Sequence, residues 1–240
     1  MITIDATMQD NAALCNMIKQ SDDDVKISQC LGERFLGAGL KDKYIEIDGM
    51  PGNALGAYLD GASITVNGNA QDAVGDTMNA GTIVVYGNVG DAVGYAMRGG
   101  KIYIKGNAGY RAGIHIKAYK EKFPVIVIGG RCGSFLGEYQ AGGLIIVLGL
   151  NKSSKNVTGN FPCTGMHGGK VLIRGDISGI TFPEQVNVEK ATESDMSEAM
   201  PYIKEFCSLF GYDVSEVINC AFSAVKPDSS NPYKQMYVEN

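Results

Sequence analysis

Hydrophobic residues recur along the chain in short β-branched segments that are separated by a constant step of 19 residues. One column of these residues opens the segments: Ile45, Ile64, Ile83 and Ile102. A second column lies two residues further on, and so on the same face of a strand: Ile47, Val66, Val85 and Ile104. A third column follows: Leu59, Met78, Met97, Ile116, Gln140 and Met166. The three columns predict the filled interior of a repeating coil.

Beyond Gly113 the step becomes irregular, but the strand-like phrase continues. It returns as VIVIGG at 125–130, as IIVLGL at 145–150 and as VLIRGD at 171–176. The extra residues lie in the polar stretches 117–124 and 151–160, which we expect to be loops inserted at a corner of the coil.

Glycine and asparagine repeat on the same step. The glycine columns are Gly56, Gly75, Gly94 and Gly113, and Gly68, Gly87 and Gly106. Glycine at a fixed place in each coil indicates a corner with positive φ, or one where another backbone approaches too closely for a Cβ. An asparagine column comprises Asn69, Asn88 and Asn107, whose amides can bond from coil to coil or whose backbones can adopt the left-handed conformation.

The length of the unit restricts the fold. It is too short for a helical repeat, lacks the leucine-rich consensus, and is about half of a propeller blade of roughly 40 residues. The pattern therefore predicts an all-β fold, a single-stranded parallel β-helix of about seven coils of roughly 19 residues. We expect an N-terminal cap with one short helix over 1–44, the β-helix over 45–180, and a helical cap with an extended tail over 181–240.

Helical patterns are confined to the two ends. Residues 10–20 predict a helix that begins at Asp10 and has Leu14, Met17 and Ile18 on one face. A second apolar stripe at helical spacing comprises Met196, Met200, Ile203, Cys207 and Phe210. We expect Ser197 to cap this helix, Pro201 to lie in its first turn and Gly211 to end it. A further short helix is expected over 213–222, followed by an extended tail over 226–240.

Composition narrows the function classes. The net charge of −5 gives no support for a nucleic-acid partner. The start of the chain lacks a signal-peptide pattern, and the longest apolar run is too short to span a membrane, so we expect a cytoplasmic protein. The six cysteines form no CxxC, and with two histidines they predict reduced thiols and no structural metal site.

Candidate chemistry is concentrated in one polar column. Aligned on the third hydrophobic column, it comprises Asp60, Asn79, Arg98, Lys117, Ala141 and His167. Arg98 and Lys117 would be stacked neighbours, and like charges at that spacing repel unless a carboxylate or another anion offsets them. With His115 and His167 they form a candidate partner interface, the alternatives being a solvated corner and a small anionic ligand. Cys163 and His167 lack a third, orienting group, so we expect no thiol catalysis there.

The phrases GNAQDAVGDTMNAGTIVVYGN, GDAVGYAMRGGKIYIKGNAGYRAGIHIKAY and GEYQAGGLIIVLGL resemble the GXGXG domain family. That family includes the C-terminal domain of the large chain of glutamate synthase and one of the subunits of formylmethanofuran dehydrogenase. The resemblance is strongest over about residues 30–180 and is closest to stand-alone forms of the domain. It implies a right-handed β-helix. One position departs from the family pattern, because Cys163 stands at the corner that corresponds to Gly94, and we expect a local distortion there.

The resemblance also implies a function. It predicts a scaffold subunit or domain of a glutamate synthase, with no catalytic residues and no cofactor of its own. The partners would be a glutaminase polypeptide and a synthase polypeptide that carries FMN and iron–sulfur clusters, and the whole complex would make glutamate from glutamine and 2-oxoglutarate. A homo-oligomer is possible for the isolated chain. The alternatives are a scaffold like the GXGXG subunit of formylmethanofuran dehydrogenase, and an independent β-helical protein that binds or degrades carbohydrate.

Overall fold

A computed structural model describes residues 1–151 and 156–229. Within these residues one continuous sheet contains eleven strands. Their bounds are β1 Ile2–Asp5, β2 Val25–Leu31, β3 Tyr44–Met50, β4 Asp60–Val66, β5 Ala80–Val85, β6 Gly100–Ile104, β7 Pro124–Ile128, β8 Ala141–Val147, β9 Gly168–Arg174, β10 Val186–Lys190 and β11 Phe222–Pro227. The helices are α1 Asn11–Gln20, α2 Glu193–Phe210 and α3 Val214–Ile218, with a 3-10 turn at Ala6–Met8.

Strands β1 to β9 are parallel neighbours in chain order, so the chain winds into a parallel β-solenoid of about seven turns. The predicted all-β fold is therefore confirmed. The first hydrophobic column lies in register along the sheet: Val25, Ile45, Ile64, Ile83, Ile102, Ile126, Ile145 and Val171. All of these side chains are buried, and together with the third column they fill the inside of the coil. Burying aliphatic side chains of this size stabilises the fold by roughly 1.5–3 kcal/mol each.

The side of the coil opposite the strands is built from residues with alternating backbone conformation. Ala92, Gly94 and Ala96 have φ of 56°, 68° and 50°. The N–H groups of Ala92 and Ala96 donate to carbonyls of the following coil, and that of Gly94 donates to Val74 of the preceding coil. This side, which we call the turn side, is thus bonded from coil to coil in both directions. The same arrangement recurs in the neighbouring coils.

The two glycine columns have different physical reasons. At Gly56 φ is +64°, and an added Cβ would lie only 2.7 Å from the Cδ1 atom of Ile83, which belongs to the first hydrophobic column. At Gly68 φ is not positive, but an added Cβ would overlap the carbonyl oxygen of Gly49 in the preceding coil. The first column needs glycine because φ is positive and a side chain would not fit. The second needs it because the backbone of the preceding coil comes too close for a Cβ.

The asparagine column bonds from coil to coil. The Oδ1 of Asn69 accepts from the N–H of Asn88 at 2.8 Å, and the Oδ1 of Asn88 accepts from the N–H of Asn107 at 2.8 Å. None of these three residues has a positive φ, so the left-handed alternative does not apply. Each side-chain oxygen instead satisfies a backbone donor at a corner, which would otherwise be left unpaired.

The coil begins earlier than the sequence pattern suggested. Strand β2 pairs in register with β3, Val25 opposite Ile45 and Ile27 opposite Ile47, and thus lies within the segment expected to be a cap. Helix α1 follows the prediction: the carboxylate of Asp10 accepts from the N–H of Ala13 at its start. Its apolar face is narrower than expected, because Leu14 and Ile18 are buried whereas Met17 is exposed.

Helix α2 begins at Glu193 rather than at Ser197, so the predicted start was wrong. The Oγ1 of Thr192 accepts from the N–H of Asp195, and the Asp195 carboxylate accepts from the N–H of Thr192, forming a capping box. Pro201 consequently lies inside the helix and not in its first turn. The helix ends as predicted at Gly211, which has φ of 74°.

Helix α2 packs on the outer face of the sheet and not over the end of the solenoid. The sheet residues beneath it include Val84, Tyr103, Val127, Ile146 and Leu172. The helix contributes Ala199, Ile203, Phe206, Cys207 and Phe210. This second core explains why β7 and β8 are apolar on both faces while β3 and β4 keep polar outer faces.

The sheet ends with two antiparallel strands. Strand β11 pairs antiparallel with β9, and β10 pairs antiparallel with β11. Helix α3 is shorter than predicted, because Phe222 already belongs to β11. Part of the predicted loop at 151–160, residues 152–155, and residues 230–240 of the predicted extended tail lie outside the described residues.

The corner at Cys163 keeps the geometry of the other coils, so the expected distortion was wrong. Cys163 has φ of +60°, close to the +68° of Gly94, and its N–H donates to the carbonyl of Leu136 in the preceding coil at 2.7 Å. At Gly94 an added Cβ would overlap Ile126, two strands ahead. The residue two strands ahead of Cys163 is Val225, which has no Cδ1, and this leaves room for a side chain.

A buried carboxylate ties α2 to the end of the sheet. Asp195 forms ion pairs with Lys170 at 2.6 Å and with Lys226 at 2.8 Å, and its side chain is 3% exposed. Burial by itself would raise the pKa of Asp195, but the two lysines and the hydrogen bonds from Thr192 outweigh burial and hold the pKa far below its usual range. The group therefore stabilises the fold at neutral pH, and this stability is lost as acid protonates it.

We expect Gly94→Ala to lower the free energy of unfolding by about 2–4 kcal/mol, since it adds both left-handed strain and overpacking against Ile126. Gly39→Ala is the matched control: φ is +68° but an added Cβ meets nothing, so the loss should be only about 1–2 kcal/mol. Gly94→Ala combined with Ile126→Val should recover part of the loss. Urea unfolding measures all three variants, and equal losses for Gly94→Ala and Gly39→Ala would contradict this account.

We expect Asp195→Asn to lower the free energy of unfolding by about 3 kcal/mol at neutral pH, because Lys226 and Lys170 lose a buried partner. The difference from the wild type should shrink as the pH falls below about 4, where the unfolded carboxyl protonates. Glu198→Gln, which removes the more exposed partner of Lys170, should cost at most about 1 kcal/mol. Unfolding curves at several pH values test this, and a difference that does not depend on pH would refute it.

Candidate functional site

The polar column predicted as a partner interface lies at the corner where the turn side leads into the strands, since Asp60 and Ala141 of this column open β4 and β8. Arg98 and Lys117 follow one another in successive coils, since the N–H of Lys117 donates to the carbonyl of Met97. Both side chains are exposed, and neither has an ion pair or a side-chain hydrogen bond with any described residue. The two cations are therefore neighbours without a counter-charge among the residues that the structure describes.

His115 lies in an aromatic stack that the sequence analysis missed. Its ring is parallel to that of Tyr139 in the following coil, with 5.1 Å between centroids and 9° between planes. The ring of Tyr95 in the preceding coil meets it edge-on, with centroids 6.0 Å apart. The other side of the Tyr139 ring lies over the backbone of Gly165, where a Cβ would not fit.

A second row runs beside the first. The guanidinium of Arg111 lies 5.1 Å from the ring centroid of Phe135, and Phe135 stacks on Phe161 at 5.4 Å. The Nε of Arg111 also donates to the carboxylate of Glu138 at 3.2 Å. The side chain of Glu138 is thus paired with a cation and only 13% exposed.

We call the six side chains of these two rows the aromatic face: Tyr95, Arg111, His115, Phe135, Tyr139 and Phe161. Phe161 is 60% exposed, Tyr95 41% and Tyr139 36%. In the preceding coils the positions equivalent to Arg111 hold alanine: Ala54, Ala73 and Ala92. This change from small residues in the middle coils to large ones in the later coils is the signal that would have revealed the aromatic face. It becomes visible when the coils are aligned on their corners.

His167 does not join His115. It stands on the column of Lys117, two coils further on, and is half-buried. The Nδ1 of its ring lies 3.1 Å from the carbonyl oxygen of Gly165, and its backbone N–H donates to the carbonyl of Gln140. Of the four predicted interface residues, Arg98, Lys117 and His115 therefore lie close to one another. His167 lies two coils away from Lys117, at the edge of this group.

A surface groove of about 440 Å³ lies beside the asparagine column, between Asn107, Tyr110, Arg131 and Ser134. Two of the side-chain oxygens that line it are already used between coils. The Oδ1 of Asn107 accepts from the N–H of Arg131, and the Oγ of Ser134 accepts from the N–H of Asn160. The groove therefore follows the hydrogen bonds that stack one coil on the next.

The cysteines are not arranged for nucleophilic chemistry. Cys30, Cys132, Cys163 and Cys207 are buried. Burial raises the pKa of Cys132 to about 12 and also raises that of Cys163 well above its usual range. No hydrogen bond joins Cys163 to His167 among the described contacts. Within the part of the chain that the structure describes, no three His, Cys, Asp or Glu side chains are grouped so as to hold a metal ion.

The fold and the site together define a class: a parallel β-solenoid with glycine corners and an exposed, aromatic and cationic turn side. The family described as GXGXG motif matches residues 6–230, and the chain belongs to this family. It is 43% identical over 237 residues to the Uncharacterized protein MJ1350 of Methanocaldococcus jannaschii, covering 95% of this chain and 91% of that protein. None of the helices among the described residues has the length and apolar character needed to cross a membrane.

The fold is also similar to that of a chain in a solved complex. That structure is the formyltransferase/hydrolase complex (FhcABCD) from Methylorubrum extorquens in complex with methylofuran. The TM-score is 0.61 with 21% identity, and the match covers 85% of this chain and 72% of that one. At this identity the likeness establishes the shared fold.

We expect a thiol reagent to modify Cys220 quickly in the native protein and Cys15 more slowly, because these are the exposed and the half-buried cysteine. The four buried thiols should react only on unfolding, since burial disfavours the thiolate that attacks. The release of a chromophore from an aromatic disulfide reagent measures this. Cys220→Ser should remove the fast phase, and a fast phase from Cys163 would contradict the assignment of an inert thiol.

Proposed function

We propose that the chain is a non-catalytic scaffold of a multi-subunit enzyme, and specifically of a glutamate synthase. Its partners would be a glutaminase polypeptide and an FMN-binding synthase polypeptide that also carries the iron–sulfur clusters. The complex as a whole would convert glutamine and 2-oxoglutarate to glutamate. The single observation that supports this most strongly is a GXGXG family match over nearly the whole chain. The turn side of this protein carries exposed rings, and the corner beside it carries Arg98 and Lys117, which have no counter-charge among the described residues.

The cationic column is the proposed point of contact. Arg98 and Lys117 are exposed neighbours that lack a counter-charge among the described residues, and His115 stands beside them. Carboxylates of a partner would relieve the repulsion between the two cations, and such complementarity favours the correct partner and speeds its association. His167 would lie at the border of that contact.

A second candidate is a scaffold comparable to the GXGXG subunit of formylmethanofuran dehydrogenase. The observation that favours it is the shared fold with a chain of the formyltransferase/hydrolase complex. In this case the partners would be a different set of polypeptides, including those that bind molybdopterin. Both candidates assign the same physical role to this chain, which is to hold other polypeptides by its surface.

Purification of the tagged chain from its own cells, followed by mass spectrometry and an absorption spectrum, separates the two candidates. A glutaminase and a yellow, iron-containing synthase should co-purify in fixed ratio if the first is correct. Polypeptides that bind molybdopterin would instead support the second. A chain recovered alone, as a monomer or a homo-oligomer, would overturn both.

We expect Arg98→Glu to weaken association with the identified partner by about tenfold or more without changing the melting temperature. The charge reversal should replace an attraction by a repulsion at the contact. Lys204→Glu is the control, because Lys204 is exposed on helix α2, away from the turn side. Binding titrations measure the effect, and equal affinity for Arg98→Glu and the wild type would show that the column is merely solvated.

A further inference from the structure

The backbone of the aromatic face is strained, and hydrogen bonds between coils hold it in place, as they do at the equivalent positions of other coils. Five of its six residues have positive φ, between 53° and 63°: Arg111, His115, Phe135, Tyr139 and Phe161. The left-handed conformation costs roughly 1–2 kcal/mol for a residue other than glycine. Buried packing could compensate for this cost, but the ring of Phe161 is mostly in solvent. Ala54, Ala73 and Ala92 tolerate the same conformation in the middle coils, so the aromatic face differs from those coils in the size of its exposed side chains.

The size of the face also indicates a contact surface. The exposed parts of Tyr95, Tyr139 and Phe161 together amount to roughly 300 Å², if each ring side chain has on the order of 200 Å². The stacking distances connect them through His115 on one row and Phe135 on the other. An exposed apolar patch of this size is about as large as the largest one on a typical monomeric protein, and such patches are often functional.

The charges around the rings select the kind of partner. Arg111 is neutralised by Glu138, whose carboxylate is the only one in contact with the face among the described contacts. Arg98 and Lys117 remain without a counter-charge along one border. A second copy of the chain would bring the same rings and cations, and its Glu138 is already paired. An acidic partner matches this surface better than a copy of itself.

We propose that the aromatic face binds an acidic, amphipathic segment of a partner polypeptide. Apolar side chains of that segment lie on the rings of Tyr139 and Phe161, and its carboxylates meet Arg98 and Lys117. This rests on the proposed scaffold function and specifies the chemistry of the partner at that surface. Aromatic side chains and arginine are the residues that most often dominate the binding energy of such interfaces.

The chain itself offers variants that should fold. Phe161→Ala places alanine where Ala54, Ala73 and Ala92 already occupy the same column with positive φ, so the coil is expected to keep its geometry. Phe35→Ala is the matched control: Phe35 stands on the same column, with φ of 59° and 55% exposure, but at the other end of the solenoid and outside the face. Thermal unfolding of both variants checks that each is folded.

The test uses the full chain and three short fluorescein-labelled peptides, followed by fluorescence anisotropy. The first peptide alternates Glu with Phe and Leu, the second has Lys in place of Glu, and the third has Ser in place of Phe and Leu. The first should bind most tightly and should weaken as salt rises. Phe161→Ala should reduce its affinity by about tenfold, and Phe35→Ala should leave it unchanged. Equal binding of the acidic and the basic peptide, no binding of the acidic peptide, or equal loss in the two variants would overturn the proposal.

The result of the peptide-binding experiment can be distinguished from the result of the co-purification that tests the scaffold proposal. If the acidic peptide binds through Phe161 but neither set of expected enzyme polypeptides is recovered with the chain, the face is correctly assigned and the enzyme complex is not. If those polypeptides are recovered with Phe161→Ala as well as with the wild type, and the peptides do not bind, the scaffold function stands and the aromatic face is not its contact.

Discussion

The structure depends on hydrogen bonds between successive coils at equivalent backbone positions. They form in register along the sheet, where Ile64 lies opposite Ile83, and on the turn side, where Gly94 bonds to Val74. Because every coil repeats the path of the previous one, each side chain has neighbours of the same column above and below. Apolar columns therefore form the core, and the asparagine column supplies acceptors for backbone donors at a corner. A residue type that fits this stacking in one coil therefore fits at the equivalent position of most other coils.

The same regularity explains what the sequence could reveal. A constant step made the ladders of Ile45 and Ile47, the glycine corners and the asparagine column visible without a structure. The step does not reveal where the first end begins, since Val25 lies 20 residues before its partner Ile45, one more than the regular step. The start of α2 was misplaced because Ser197 and Thr192 are both good caps, and the choice depends on which one has a partner three residues later. At Thr192 that partner is Asp195, which also binds two lysines from distant strands.

The candidate site was visible only in part for a related reason. Arg98 and Lys117 are separated by one regular step, so their proximity followed from the period. The stack of His115 and Tyr139 spans the insertion at 117–124, which hides their equivalence in the sequence. Their exposure also depends on a left-handed backbone, and aromatic residues have no preference for that conformation from which it could be inferred.

The reversal of strand direction at β11 has a consequence for how the protein behaves among copies of itself. A stack of parallel coils is in principle open-ended, and a terminal coil offers a template on which another chain could continue the ladder. Because β11 runs against β9 and β10 runs against β11, the last edge no longer matches the first coil of another molecule. The interior of the chain can thus be periodic while the solenoid keeps a defined length. The reversed strands at its end disfavour the end-to-end stacking of copies into fibres.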